Sequence, residues 1–268
     1  MALRCVYTDL DGTMLGKGAS LLRDAEGNFS TLAVRALEAC HRADVEVVIQ
    51  SGRRKAQVYE DARLIGQPSY IYEMGSGLVD GEDEVFLTGS FQPGDESVHD
   101  QIERAGAPHL LMETFPGRIE PHAPWHTDRL FTHLFRGEVP LDEVEQLFAA
   151  HDLDVRLVDN GITLRRSPEL VAGQVHVYHL IPAAAGKGKA VATHMQRRGL
   201  APEEVIAIGD ARGDLEIAGV VGRFYLVSNA LDKDPELASG AGHANVMVTE
   251  EPMIAGFYEA IVRTLAER

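Results

Sequence analysis

"YTDLDGTMLG", residues 7–16, follows a short, mostly apolar run at 3–6, so a strand is expected to end by presenting two carboxylates two positions apart, Asp9 and Asp11. Working outward, "STLAVRALEACHRAD" (30–44) places Leu32, Ala36, Leu37 and Cys40 at helical spacing behind Ser30 as the expected N-cap. "VEVVIQ" (45–50) reads as a buried strand, "RRKAQVYEDARLIG" (53–66) as a helix and "SYIYE" (69–73) as a strand. This β-α-β-α-β order predicts a parallel sheet with helices on its faces.

The same grammar returns late in the chain. "VHVYHLI" (175–181) reads as a strand, "GKGKAVATHMQRRG" (186–199) as a helix, and "EVIAIG" (204–209) and "RFYLVS" (223–228) as strands. Met253, Ile254, Phe257, Tyr258, Ile261, Val262 and Leu265 mark a closing amphipathic helix. Between them the pattern breaks into turn-rich pieces such as "DGEDE" and "QPGDE", a helix around "LDEVEQLFAAH", and a strand pair, "DVRLV" and "GITLRR", joined at the turn dipeptide Asn160-Gly161. The expected architecture is therefore α/β: a doubly wound, Rossmann-like, mostly parallel core from residues 1–80 and 181–268, with an inserted α+β domain at 81–180.

Charge narrows the partners. With 41 Asp plus Glu against 25 Lys plus Arg, the net charge of -16 repels nucleic acid and anionic membrane, and no apolar run reaches the roughly 18 residues of a membrane span. Cys5 and Cys40, with no CxxC pair, suggest two buried inert thiols rather than disulfides or a zinc knuckle. A cytoplasmic protein is expected, and nothing in the sequence fixes its oligomeric state.

In open α/β sheets ligands bind outside the carboxyl ends of the strands. Asp9 and Asp11 follow the first strand; Ser51, Gly52 and Arg53 follow the second; Gly209, Asp210 and Asp214 follow "EVIAIG"; and Lys187 opens a helix. Carboxylates gathered on one rim repel each other unless a divalent cation sits among them, and all-oxygen ligation suits Mg²⁺. A phosphate would supply further ligands, with Lys187 and the Ser51 hydroxyl compensating its other oxygens. Asp9 could then serve as nucleophile, forming an aspartyl-phosphate, while Asp11 moves the proton.

Four signatures in this order, "DLDGT" (Asp9, Asp11, Gly12, Thr13), "SGR" (Ser51, Gly52), "KGKAV" (Lys187) and "GDARGD" (Asp210, Asp214), resemble the haloacid dehalogenase superfamily of phosphotransferases. The insertion between the second and third looks like the C2-type cap of the Cof-like, sucrose-phosphatase and mannosyl-phosphoglycerate-phosphatase branch. The resemblance implies a Mg²⁺-dependent phosphohydrolase of small phosphorylated metabolites, sugar phosphates above all. It also implies that Mg²⁺ is held by the Asp9 carboxylate, the Asp11 main-chain carbonyl and Asp210, with Asp214 supporting, and that the Asp11 side chain stays free for acid-base work. Asp9, Gly12, Ser51, Gly52 and Lys187 would hold the phosphate. A phosphomutase and a non-catalytic metabolite-binding protein are the alternatives on the same scaffold.

Two positions depart from the family pattern: Gly213, where many relatives carry Asn, and Met74, in "EMGSG", where many have Asn-Gly. Rival motifs fit less well. An EF-hand lacks its third acid and closing Glu, and a Walker A would need Gly at Ile181 and Ser or Thr at Gly188. Six of the 11 histidines fall between residues 99 and 151 of the insertion, at spacings that match no zinc pattern. Arg53, Arg118, His122, Trp125 and Arg165 are the candidates for reading the leaving group.

Overall fold

The structure is a computed structural model and describes residues 2–163 and 165–267. In chain order its strands are β1 (Cys5–Thr8), β2 (Glu46–Gln50), β3 (Ser69–Tyr72), β4 (Gly77–Asp80), β5 (Asp83–Phe86), β6 (Ile119–Pro121), β7 (His133–Gly137), β8 (Val155–Ile162), β9 (His176–Pro182), β10 (Val205–Gly209), β11 (Arg223–Leu226) and β12 (Val246–Val248). Eight of them form one sheet in the order β12-β11-β10-β1-β2-β3-β4-β5. Pairing is parallel from β12 through β3 and antiparallel across β4 and β5.

Alternating residues of the parallel strands feed two helical layers. Val6, Val47, Ile49, Ile206 and Ile208 pack in one cluster with residues of α1 (Leu32–Arg42) and, at the chain's end, Ile254, Phe257 and Ile261. Cys5, Tyr7, Val48 and Ala207 turn the other way, toward Ala190, Val191 and Met195. Both cysteines are buried, and neither forms a disulfide among the described residues. The remaining helices are α2 (Lys55–Leu64), α3 (Val98–Arg104), α4 (Ala107–Thr114), α5 (Leu141–Ala150), α6 (Lys187–Arg198), α7 (Asn229–Lys233) and α8 (Met253–Ala266). Among the described residues no helix is long and apolar enough to cross a membrane.

Several local expectations are corrected. "DGEDE" is the turn of an antiparallel hairpin, so β5 carries the core sheet past residue 80. "VHVYHLI" does not join the core: β9 pairs with β7 and β8 in a second, four-stranded antiparallel sheet ordered β6-β7-β9-β8. Asn160-Gly161 is not a hairpin turn. It lies inside β8, where the register slips between Asp159 and Ile162, because the Asp159 carboxylate accepts the Gly161 N–H at 2.8 Å and Gly161 takes φ +95°. Leu164, in the expected second strand of that pair, lies outside the described residues. The N-cap of α1 is Thr31, one residue later than expected, and its side chain makes no capping bond.

Candidate active site

Asp9 is the first residue beyond β1, and its N–H donates to the Ile208 carbonyl of β10 at 2.9 Å, which fixes the residue on the rim between the central strands. Lys187, at the first turn of α6, is fully buried and reaches over the rim to Asp9 Oδ1 (2.9 Å) and Asp214 Oδ1 (2.6 Å). Asp214 is committed on both oxygens. Oδ1 also accepts from Gln50 Nε2 at 3.1 Å, and Oδ2 accepts the N–H groups of Asp210 and Ala211. Asp210 Oδ2 is met by Lys233 Nζ at 3.1 Å and by Asn229 Nδ2 at 3.5 Å; the same Asn229 nitrogen donates to the Gly12 carbonyl. Gly12 has φ +89°, and a Cβ there would stand 2.3 Å from Asp210 Oδ2, so only glycine lets the first motif lie against the fourth.

Oxygens of Asp9, Asp210 and Asp214 come within 4.8 Å of one another. Asp214 serves Lys187 and the main chain, whereas Asp9 Oδ2 and Asp210 Oδ1 have no hydrogen-bond partner among the described residues. Two buried carboxylates, each with one oxygen unengaged, make an all-oxygen donor set that fits a hard divalent cation. The electrostatics agree. Burial pushes the Asp9 carboxyl up to about 8 against the opposing pull of Lys187, with Asp214, Asp210 and Asp11 pushing further. Burial also raises Asp210. Burial disfavours the charge on Lys187, but Asp214 and Asp9 outweigh it and hold the ammonium above its ordinary range. Lys187 sits closer to Asp214, which leaves the charge on Asp9 only partly compensated.

The Asp11 side chain is not free. Arg53 grips it with two nitrogens, Nε to Oδ2 at 2.7 Å and Nη2 to Oδ1 at 2.6 Å, and Arg53 Nη1 also bonds Asp61 at 2.8 Å. Ser51 is buried, and its Oγ accepts the Arg53 N–H at 3.2 Å.

Above the rim lies a cavity of about 690 Å³ that opens between the two sheets. Asp9, Asp11, Ser51, Gly52 and Arg53 form its core side, and His122, Trp125, Arg129, Asp159, Arg165 and His179 its cap side. The Arg165 guanidinium lies 4.2 Å from the centre of the Trp125 ring. Arg118 is elsewhere, exposed and over the Phe115 ring. Gln50, Glu73, Arg129, His179, Asn229 and Lys233 were not legible as site residues. They lie outside the four motifs, and only the fold brings them to the rim or the cavity wall.

Glu73 ties core to cap. Its buried carboxylate accepts three successive main-chain N–H groups, from Leu130, Phe131 and Thr132, and the Thr132 hydroxyl, all at 2.9–3.0 Å. The departures at 74 and 213 also find their reason. Met74 has φ +58° and is buried with Val158, Ile181 and Ala185. Its methyl fills the space beside Gly213.

A parallel rim carrying a lysine-bridged carboxylate pair thus lies beneath a cavity whose far side includes residues between 122 and 179. A model of haloacid dehalogenase-like hydrolases matches residues 158–242. The chain is 25% identical to a phosphoglycolate phosphatase of Methanoculleus marisnigri, over 97% of its own length and 95% of the relative's. It is likewise 25% identical to one of Methanothermobacter thermautotrophicus, over 97% and 98%. In fold it resembles the sucrose-phosphatase of Synechocystis sp. PCC6803 (TM-score 0.67, 17% identity, 98% of each chain covered). Residues 158–242 therefore match the haloacid dehalogenase-like hydrolases, and nearly the whole chain is similar to proteins named as phosphatases.

Proposed function

We propose that the chain hydrolyses small phosphate monoesters through a phosphoryl group carried on Asp9. The observation that supports this reading most directly is the Asp9 carboxylate. One oxygen is fixed by Lys187 at 2.9 Å, the other is unengaged, and the residue lines the cavity. Asp9 attacks phosphorus and the ester oxygen leaves, taking the proton that Asp11 supplies. Water deprotonated by Asp11 then attacks the acyl phosphate, releasing inorganic phosphate and restoring Asp9. Lys187, the Ser51 hydroxyl and the main chain at Gly12 and Gly52 hold the non-bridging oxygens. Asp214 acts by fixing Lys187. Mg²⁺, held by the Asp9 and Asp210 carboxylates and the Asp11 main-chain carbonyl, would supply the positive charge that lets a carboxylate approach a phosphate.

Core and cap divide the work in this proposal: the chemistry is confined to the eight-stranded core, and the insertion that begins after β5 selects the leaving group. The named relatives act on phosphoglycolate and on sucrose phosphate, so the candidate substrates are sugar phosphates and small phosphorylated acids. Phosphate release from such a panel and from an aryl phosphate, with Mg²⁺ and with chelator, tests the reading. Activity that is lost in chelator and in Asp9→Asn supports it. Turnover by Asp9→Asn at the wild-type rate would overturn it, and transfer between two positions of one sugar without phosphate release would mark a mutase instead.

A further inference from the structure

Among the described residues, the charges lining the cavity pair off with two exceptions, of which one is buried. Asp11 is held by Arg53, Asp210 by Lys233, Asp234 by Arg212, and Asp159 by His176. Arg165 has no acid partner among the described residues, but it is exposed to water and stacked on Trp125. Arg129 has neither outlet. It is only 8% exposed and makes no ion pair among the described residues. Its guanidinium donates to three neutral oxygens: Nε to the Trp125 carbonyl (3.2 Å), and Nη1 to the Gly52 carbonyl (3.1 Å) and to Thr132 Oγ1 (3.0 Å). Nη2 makes no hydrogen bond among the described residues, and it is not among the sealed, unpartnered buried atoms, so it keeps access to the cavity that Arg129 lines.

The nearest opposite charge, Glu73, is reached only through the Thr132 hydroxyl and is already engaged by four donors, so burial outweighs it and holds the guanidinium down at about 10. A buried cation without a direct counter-charge is costly, and one retained beside a ligand cavity leaves room for an anion to complete it. The placement is rigid. Glu73 fixes residues 130–132 by four hydrogen bonds, and the Gly52 carbonyl anchors Arg129 one residue from Ser51. Its positive field is felt by neighbours: burial first, then Arg129, holds the His179 imidazole well below its ordinary range.

Resting on the phosphatase reading above, we infer that Arg129 is a specificity-determining residue that binds a carboxylate on the leaving alcohol, so that the preferred substrates are small phosphate monoesters of hydroxy acids. A planar guanidinium with free N–H groups matches a carboxylate, and the discrimination it provides is against analogues lacking that group. The position explains why neither Arg118, which lies away from the cavity, nor exposed Arg165 is needed for this contact.

The test compares phosphoglycolate with 2-hydroxyethyl phosphate, which carries a neutral hydroxymethyl group in place of the carboxylate, by the ratio of their kcat/KM values. The wild type is expected to favour the acid about tenfold or more. Arg129→Gln should remove most of that preference and Arg129→Lys should keep part of it, whatever the absolute rates. A ratio unchanged within about threefold in Arg129→Gln, or a wild type without preference, would overturn the assignment. Calorimetric binding of phosphonoacetate and methylphosphonate to the wild-type protein with Mg²⁺ supplies a readout independent of turnover and of the variants' folding. Phosphonoacetate should bind about tenfold tighter, and equal affinities would overturn the proposal. Turnover of para-nitrophenyl phosphate, which has no second anion, checks the phosphatase reading separately: if that reading alone fails, the phosphonate preference survives.

Discussion

Met74 and Gly213 meet: a Cβ built on residue 213 would lie 3.2 Å from the Met74 methyl, with Val158 Cγ1 and the Asp159 carbonyl each at 3.4 Å. The two positions where the chain departs from the motif pattern it resembles are therefore one packing arrangement, in which a long side chain on the third-strand loop occupies what a larger residue at 213 would fill. Gly213→Ala should cost little, since the end of a Met side chain gives way. Gly213→Asn, which adds polar atoms to this apolar contact, should destabilise the protein by about 1–3 kcal/mol. Met74 sits at φ +58°, ψ +31°, a conformation that Asn tolerates well, so Met74→Asn combined with Gly213→Asn should recover part of the loss. Urea unfolding of the two single variants and the double checks this, and strict additivity would mean that the positions are independent.

Glu73 makes a larger contribution by the same kind of accounting. Glu73→Ala leaves three buried or half-buried main-chain N–H groups without acceptors on the segment that enters β7, and each unsatisfied donor costs about 1–3 kcal/mol. A loss of about 3 kcal/mol or more is expected, with faster proteolysis near residues 125–132. Glu73→Gln should lose less, because its amide oxygen can still accept from Phe131 and Thr132. An alanine variant as stable as the wild type would show that the cap segment does not depend on this carboxylate.

The contrast between these residues and Asp9 explains what could be read before the fold was known. The rim positions of Asp9, Asp11, Ser51, Lys187, Asp210 and Asp214 were legible because each stands at a strand end or helix start, where local sequence pattern sets position. The parallel core was legible for the same reason, through buried runs such as "VEVVIQ". Glu73 and Arg129 act on main-chain groups far away in the chain, and no spacing announces such a contact. The β8 irregularity was hidden because Asn160-Gly161 is as suited to a bulge as to a turn. "VHVYHLI" looks like a core strand but lies in the cap sheet, since apolar alternation does not say which sheet a strand joins.

Arg53 holds Asp11 in one orientation, and that orientation determines whether a proton can reach the leaving oxygen. Arg53→Ala should lower kcat by about ten- to a hundredfold with a smaller change in KM, because a misplaced acid is felt in the transition state more than in binding. Arg53→Lys keeps the charge but loses the two-pronged grip, so it should fall between the two. A purely structural role through Asp61 would instead lower thermal stability and leave kcat per folded molecule intact.

Three cap histidines are expected to weaken the protein in acid. Burial holds His133 down at about 3, with help from neighbouring His99, and holds His122 down at about 4, with Arg136, Arg165 and Arg129 adding to the effect. His179 is depressed as well. An unfolded histidine titrates near 6.5, so below that pH the unfolded chain binds protons that the folded cap refuses. Their contribution to stability is complete above pH 6.5 and is lost progressively as pH falls toward about 4. The melting temperature should therefore drop between pH 6.5 and 5, a range above that in which most carboxylates titrate. His133→Phe removes one of the three. It forfeits the bond between Nε2 and the His99 carbonyl at 3.0 Å but keeps the ring stacked near His99 and Phe135, so the variant should be less stable at pH 7.5 and show a shallower slope on acidification. Melting curves at half-unit pH intervals decide the matter: a slope as steep as that of the wild type would mean that His133 takes up its proton without unfolding.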